Sequence, residues 1–203
     1  MRLIGLTGGI ATGKSTVASM LTARGAVVVD ADRLARDVIL PGSTGFDEVV
    51  ARFGRAVLEA SGTVDRARLG AIVFADPQAR AGLEEITHPR IRALMNERIQ
   101  AALDSPAPLV VADIPLLFEG GREVAFPETL LVYAPPQVQL RRLGARDGIE
   151  GTAARLRLEA QLPIDSKCER ATWVIDNGGS LEHTTAQVDS WWGEVVDLGQ
   201  RSP

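Results

Sequence analysis

The chain has 203 residues, of which 45% are hydrophobic and 24% charged, the composition of an ordinary globular domain. Its formal net charge of −4 and sequence pI of about 5.3 argue against a nucleic-acid partner, because proteins that bind nucleic acid carry a basic face. No apolar run approaches the roughly 20 residues that a membrane helix needs, so we expect no membrane partner either.

The number of cysteines and the N-terminal residues indicate the cellular compartment of the protein. Cys168 is the single cysteine of the sequence, so an internal disulfide is excluded, as is usual in cytoplasmic proteins. Residues 1–9 read directly into a strand and a glycine loop, and no signal peptide is visible. We therefore predict a cytoplasmic protein that is a monomer or a weak homo-oligomer.

The first predicted unit is a strand, a loop, a helix and a second strand. Residues 2–7 form a short apolar run that ends in glycines, as a buried parallel strand does. A glycine-rich turn over 8–13 leads into a helix over 14–24, which Gly25 ends. The apolar residues 26–29 then predict the second strand.

Residues 33–103 have a helical pattern that is interrupted three times. The interruptions fall at 41–42, 61–62 and 76–77, where proline or glycine occurs. Pro89 is predicted to open a long amphipathic helix with apolar residues on one face.

The rest of the chain alternates strands with helices. We predict strands over 109–113, 129–134 and 172–176, an arginine-rich helix after Pro135 and Pro136, and helices over 151–161 and 182–196. This alternation predicts an α/β fold with a doubly wound, parallel sheet of five strands.

The glycine-rich turn carries the most specific motif of the sequence. The pattern G-x-x-x-x-G-K-[ST] is matched by Gly8, Gly9, Ile10, Ala11, Thr12, Gly13, Lys14 and Ser15. The glycines let backbone N–H groups, including that of Thr16, surround phosphate oxygens, and the helix start adds its positive dipole end. Lys14 would reach the β- and γ-phosphates, and the Ser15 hydroxyl would bind Mg²⁺. We predict a P-loop site for ATP and Mg²⁺, in which Lys14 contacts nothing that the fold requires.

Lysine is rare in this chain. Lys14 and Lys167 are the only lysines among the 22 basic residues, so the remaining 20 are arginines. A GTPase reads guanine with an Asn-Lys-x-Asp segment, and neither lysine lies in one. The P-loop therefore indicates a kinase, which also needs an acceptor-activating carboxylate and mobile arginines.

Three aspartates follow predicted strands at the sheet edge where ligands bind. Asp32 is the favoured general base or acceptor-orienting group, and Asp30 is the weaker candidate. Both would otherwise cap the following helix. Asp113 would hold a magnesium-bound water as a Walker-B aspartate does, or it is a turn residue at a strand end.

Arginines cluster on the helix after the fourth strand. Arg142 and Arg146 are four residues apart and share a face, with Arg141 beside them. Such a helix is typical of a lid that closes on triphosphate, although an arginine run is also typical of a solvated face.

In their order and spacing, segments along nearly the whole chain resemble the dephospho-CoA kinase family. The most specific are His88-Pro89 and Pro115-Leu116-Leu117-Phe118-Glu119. Others are Leu6 to Ile10, Val29 to Asp32, Ala35-Arg36, Pro41-Gly42, Phe53-Gly54, Gly62, Arg66, Leu69, Val73-Phe74, Gln139, Arg142, Arg146, Gln161, Lys167 and Ile175 to Gly178. Ala11-Thr12 and Ala171-Thr172 depart from the residues more usual in the family.

The resemblance implies transfer of the ATP γ-phosphoryl group to the ribose 3′-hydroxyl of dephospho-CoA. It implies a catalytic role for Asp32, Lys14 and Arg142, with Arg142 and Arg146 on the ATP phosphates and Asn177 near adenine. It also implies that Asp32, Arg66, His88, Pro115 and Leu116 bind the acceptor. The structural alternatives are that His88 caps a helix and that residues 115–119 form a turn.

The predicted organisation is a single P-loop kinase domain over 1–203. Its core comprises about 1–32, 104–135 and 170–203, with a helical acceptor-binding region over about 33–103 and a lid over about 136–169. Two alternatives are another small kinase of the adenylate or shikimate type and a nucleotide-dependent binding module without transfer chemistry.

Overall fold

The computed structural model describes residues 2–201, with side chains described up to residue 196. Met1, Ser202 and Pro203, at the outer ends of the predicted core segments, lie outside the described residues. The chain forms two compact units, one of residues up to Val29 together with those from Ala101 onward, and one of Asp30–Gln100.

A five-stranded parallel sheet forms the centre of the first unit. Its strands are β1 (Arg2–Gly8), β2 (Val27–Asp30), β3 (Leu109–Asp113), β4 (Glu128–Tyr133) and β5 (Trp173–Asp176), in the order β2-β3-β1-β4-β5. The side chains of the three central strands β3, β1 and β4 are largely buried because helices cover the faces of a parallel sheet, as the continuous apolar runs predict. The predicted α/β class and the five parallel strands are confirmed.

The helices are α1 (Lys14–Ala23), α2 (Ala31–Asp37), α3 (Thr44–Phe53), α4 (Arg66–Ala75), α5 (Pro77–Leu103), α6 (Pro136–Asp147), α7 (Gly151–Glu159), α8 (Ile164–Cys168) and α9 (Leu181–Arg201). In the first unit, α1 and α9 pack on the sheet through the apolar side chains Val17, Leu21, Val188, Trp191 and Val195. This packing holds the amino end of α1 directly after β1. The sequence pattern does not predict α8, because five residues are too short to show a helical period.

The prediction that Pro89 opens a helix is wrong. Pro77 begins α5, and Pro89 lies inside it, so His88 is not a helix cap. Proline removes one main-chain donor from a helix interior. Thr87 Oγ1 and Arg90 Nη1 donate to the main-chain carbonyls of Leu83 and Ile86, at 2.8 and 2.6 Å, and neither bond goes to the Glu85 carbonyl, which the missing donor of Pro89 would have served.

The second unit has its own small core beneath α3, α4 and α5. It is built from the buried side chains of Val49, Val57, Val64, Leu69 and Ile86. Within residues 2–201, no helix combines the length and the apolar character needed to cross a bilayer.

Candidate active site

The glycine loop between β1 and α1 needs glycine at specific positions. Gly13 has a φ of +87°, and a Cβ there would collide with the side-chain amide of Asn177. A Cβ on Gly9 would lie 2.5 Å from Gln139 Nε2. Ala11 has a φ of 56°, so the loop tip adopts a conformation that glycine tolerates more easily. The motif glycines are therefore required by close packing as well as by backbone curvature.

The amino end of α1 is open to an anion. Gly13 precedes the helix without a side-chain cap, and its first turn has no acidic residue. Free N–H groups and the helix dipole favour a phosphate at such an end. Ser15, in the same turn, is exposed.

Lys14 and Asp113 form an ion pair beside this helix end. Asp113 is only 4% exposed and ends β3, which pairs with β1 in the sheet. The prediction that Lys14 contacts nothing that the fold requires is therefore wrong. Neighbouring strands bring the first residue of α1 to the end of β3, although 99 residues separate the two in the chain.

Arg142 and Asn177 hold the carboxyl-terminal half of the loop. Asn177 Nδ2 donates to the Thr12 carbonyl at 2.6 Å, and Arg142 Nη1 donates to the same carbonyl at 3.2 Å. Arg142 Nη2 also donates to the Asn177 carbonyl at 2.7 Å, and Thr184 Oγ1 donates to Asn177 Oδ1 at 2.8 Å. The structure thus brings these two predicted site residues together on the loop, Arg142 from α6 and Asn177 from the end of β5.

Two glutamines hold the other half of the loop. Gln139 Nε2 donates to the Ile10 carbonyl at 2.7 Å, and the Ile10 N–H donates to Gln161 Oε1 at 2.8 Å. The site predictions omit both glutamines, since a glutamine carries no distinctive sequence signal. Only their place in the family resemblance marked them.

Cavities flank the loop within the first unit. One of about 250 Å³ is lined by Gly13, Thr16, Arg142, Asn177, Gly179 and Leu181. Another of about 290 Å³ includes Gly9, Gln139 and Gln161 in its lining. The first therefore joins the start of α1 to Arg142 and Asn177.

Arg146 is not brought to the loop. Its guanidinium donates two hydrogen bonds of 2.8 Å to the carboxylate of Asp147, and both residues are exposed. These hydrogen bonds hold the pKa of Asp147 below its usual value. Arg141, one position before Arg142, is also exposed.

The second unit contains the predicted acceptor-side residues Asp32, Arg66 and His88. Asp30 caps α2, because its Oδ1 accepts the N–H groups of Asp32 at 2.8 Å and Arg33 at 3.2 Å. Asp32 is exposed, and within the described part of the chain no hydrogen bond or ion pair engages its carboxylate. Arg66 is the exposed first residue of α4, and His88 is half-buried within α5.

The segment after β3, residues 115–119, is partly buried. The Pro115 carbonyl accepts the Thr7 hydroxyl at 3.1 Å, which ties the segment to β1 just before the glycine loop. Leu116 is 48% exposed, whereas Leu117 and Phe118 are buried. Leu116 is thus an apolar side chain that the segment presents outward.

A parallel sheet whose first strand leads into a phosphate loop, with an arginine from a following helix bound to that loop, defines a P-loop kinase. The family model "CoaE: Dephospho-CoA kinase" matches residues 2–183. The dephospho-CoA kinase of Anaeromyxobacter dehalogenans is 50% identical over 189 residues, covering 93% of this chain and 90% of the relative. The chain belongs to the dephospho-CoA kinase family.

Solved structures agree with this assignment. A dephospho-CoA kinase from Campylobacter jejuni is similar with a TM-score of 0.74 and 28% identity, covering 96% of this chain and 97% of the other. A shikimate kinase from Acinetobacter baumannii reaches a TM-score of 0.51 at 17% identity, covering 98% and 94% of the two chains. The second likeness shows the fold alone, so the comparisons favour the family over a kinase of the shikimate type.

Proposed function

We propose that this chain transfers the γ-phosphoryl group of ATP to the ribose 3′-hydroxyl of dephospho-CoA, giving CoA and ADP. The observation that carries the proposal is the Lys14–Asp113 pair at the open end of α1, within a chain whose family match spans residues 2–183. Catalysis of phosphoryl transfer consists mainly of positioning and electrostatic stabilisation, and this loop provides both.

ATP would lie with its phosphates against the loop of residues 8–16, on backbone N–H groups other than that of Ile10, which donates to Gln161 Oε1. Lys14 would exchange Asp113 for the β- and γ-phosphates and stabilise the charge that develops during transfer. Arg142 would act on the same phosphates from α6. The adenine would occupy the cavity that Asn177, Gly179 and Leu181 line.

Magnesium fits the donors present at this edge. Among the side chains that the structure describes, up to residue 196, no group of three or more His, Cys, Asp or Glu residues could hold a metal ion. Mg²⁺ instead prefers one or two protein oxygens together with phosphate oxygens and water. Ser15 would supply a hydroxyl and Asp113 a carboxylate, and the ion would offset charge on the phosphates.

The proposed acceptor-binding residues are those that the family resemblance implies, Asp32, Arg66, His88, Pro115 and Leu116. Asp32 would take the proton of the attacking hydroxyl, since its carboxylate is exposed and Asp30 is engaged as a cap. Arg66 and His88 would bind anionic parts of the acceptor, and Pro115 and Leu116 would contact it. Arg66 is a cation at the first position of α4, where the positive end of the helix dipole does not stabilise its charge. This placement favours the binding of an anionic group by Arg66.

The test is a coupled ADP-release assay with dephospho-CoA, AMP and shikimate as separate acceptors. We expect ADP release that depends on dephospho-CoA, with a product that carries a 3′-phosphate. A nucleotide-dependent binding module would bind ATP and release no ADP with any acceptor. Preference for AMP or shikimate would contradict the proposed acceptor.

We also propose a cytoplasmic location and a monomer or weak homo-oligomer. Cys168 is the single cysteine of the sequence and a free thiol, so it forms no internal disulfide, as is usual in cytoplasmic proteins. Sedimentation at several concentrations measures the oligomeric state.

Replacing Arg142 by alanine is expected to lower turnover and to raise the KM for ATP. The guanidinium holds the Thr12 and Asn177 carbonyls, so its loss releases the loop and removes a charge, at a cost of about tenfold to a hundredfold in kcat/KM. Arg146→Ala should have a smaller effect, because Arg146 must first leave Asp147.

Arg141→Ala is the matched control on the same helix, and wild-type kinetics are expected for it. Arg201, an alternative control near the tail, has a side chain outside the described residues. Equal losses at Arg141, Arg142 and Arg146 would show that only the general charge of this helix matters.

A further inference from the structure

A buried ion pair lies behind the phosphate loop and outside the groups assigned to ATP. Lys167, in α8, is 0% exposed, and its Nζ lies 2.5 Å from Glu119 Oε1 at an angle outside that of a hydrogen bond. Lysine is almost never fully buried unless it is paired, because burial removes the hydration of the ammonium group. A chain that uses arginine for 20 of its 22 basic residues keeps a lysine here.

Glu119 connects this pair to the segment that leads to the loop. Its Oε1 also accepts the N–H of Leu162 at 3.2 Å. Leu162 directly follows Gln161, whose side chain accepts the Ile10 N–H. The contacts therefore run from Lys167 through Glu119 and the backbone at 162 to Gln161 and the phosphate loop.

Gln161 needs such an anchor, unlike its counterpart Gln139. Gln139 is 1% exposed within α6, so helix packing alone orients it. Gln161 lies between α7 and α8, where its N–H donates to the Leu158 carbonyl of α7 at 3.1 Å and the next N–H, that of Leu162, donates to Glu119. Together the two amides hold both peptide groups of Ile10, just before Ala11 with its φ of 56°.

We propose that Lys167 and Glu119 are positioning residues that hold Gln161 against Ile10 and thereby set the loop for nucleotide. The effect on turnover rests on the proposed function, whereas the effect on nucleotide affinity does not. A purely structural pair would behave differently, because apolar replacement of both partners of a buried ion pair is often neutral for stability. Stability and nucleotide affinity therefore separate the two roles.

The experiment uses Gln161→Ala, the double variant Lys167→Met/Glu119→Leu and the triple variant that combines them. ADP affinity by calorimetry, kcat and KM for ATP, and denaturant unfolding are measured for each. We expect ADP affinity to fall by about five- to tenfold in Gln161→Ala and in the double variant, as for loss of one well-placed hydrogen bond. The triple variant should lose no more than either, because all three residues act through one contact.

The matched control is Arg2→Met/Glu128→Leu, which removes a different ion pair of the first unit, between the first residues of β1 and β4. Wild-type ADP affinity is expected for it. Wild-type ADP affinity in Gln161→Ala overturns the proposal, even where the double variant fails to fold. Additive losses in the triple variant overturn it as well. If dephospho-CoA does not stimulate ADP release while Gln161→Ala and the double variant lose ADP affinity to the same extent, the result contradicts the proposed function and leaves this inference standing.

Discussion

Lys14→Met is expected to lower phosphoryl transfer by about a hundredfold to a thousandfold, or roughly 2.7–4 kcal/mol of barrier. The ammonium group is needed where negative charge develops on the transferred phosphoryl group, and methionine retains the chain length without that charge. Steady-state turnover with dephospho-CoA measures the loss.

The same substitution also has a structural cost. Asp113 is 4% exposed and loses the cation beside it, so we expect unfolding free energy to fall by about 1–3 kcal/mol. Denaturant unfolding separates this cost from the catalytic one, provided that turnover is measured where the variant is folded.

Arg24→Met is the matched control for Lys14→Met. Arg24 follows the other end of α1 and pairs with Asp189 at 2.5 Å, so its loss removes an ion pair of α1 without touching the phosphate loop. Wild-type turnover is expected. A folded Lys14→Met variant within about threefold of wild-type turnover would contradict the role assigned to the loop lysine.

Asp32→Asn is expected to lower turnover by about a hundredfold to ten-thousandfold, or roughly 3–5 kcal/mol of barrier, with little change in ATP affinity. Asparagine keeps the size of aspartate and accepts hydrogen bonds, but it does not take a proton from the ribose hydroxyl. The low end of the range is favoured by a loose transition state, in which positioning contributes most. Steady-state turnover and ATP binding by calorimetry measure the two quantities.

Asp30→Asn is the control that the chain offers for this substitution. Asparagine caps helices as well as aspartate does, so α2 should stay intact and turnover should stay close to wild type. Should Asp32→Asn remain within about threefold of wild type while Asp30→Asn loses activity, the two carboxylates have the opposite roles.

Features encoded by short segments were predictable from local residue patterns. The glycine loop, Lys14 and Ser15 are contiguous, and their spacing alone predicts a phosphate site after a strand. Apolar runs predicted the five strands to within one or two residues, since burial between helices requires continuous apolar residues. The family resemblance rested on the same kind of ordered, local motif, and the comparisons confirm it.

Local patterns were insufficient where a residue preference competes with packing, as at Pro89, or where two nearby residues suit the same position, as with Asp30 and Asp32. Pro89 predicts a helix start, yet α5 continues through it, and Ile86 in the turn before the proline packs into the core of the second unit. Asp30 and Asp32 are equivalent as caps by sequence. Only the backbone geometry assigns the cap to Asp30 and leaves the Asp32 carboxylate exposed.

The residues that surround the phosphate loop come from distant parts of the chain. Gln139, Gln161 and Asn177 bind its backbone across 129, 151 and 165 residues of chain, and their amides carry no local signal. The Lys14–Asp113 pair likewise depends on β3 lying beside β1. Such contacts follow from the strand order β2-β3-β1-β4-β5, because this order determines which strand ends lie side by side. The sequence around a residue indicates only the local backbone conformation and the burial of that residue.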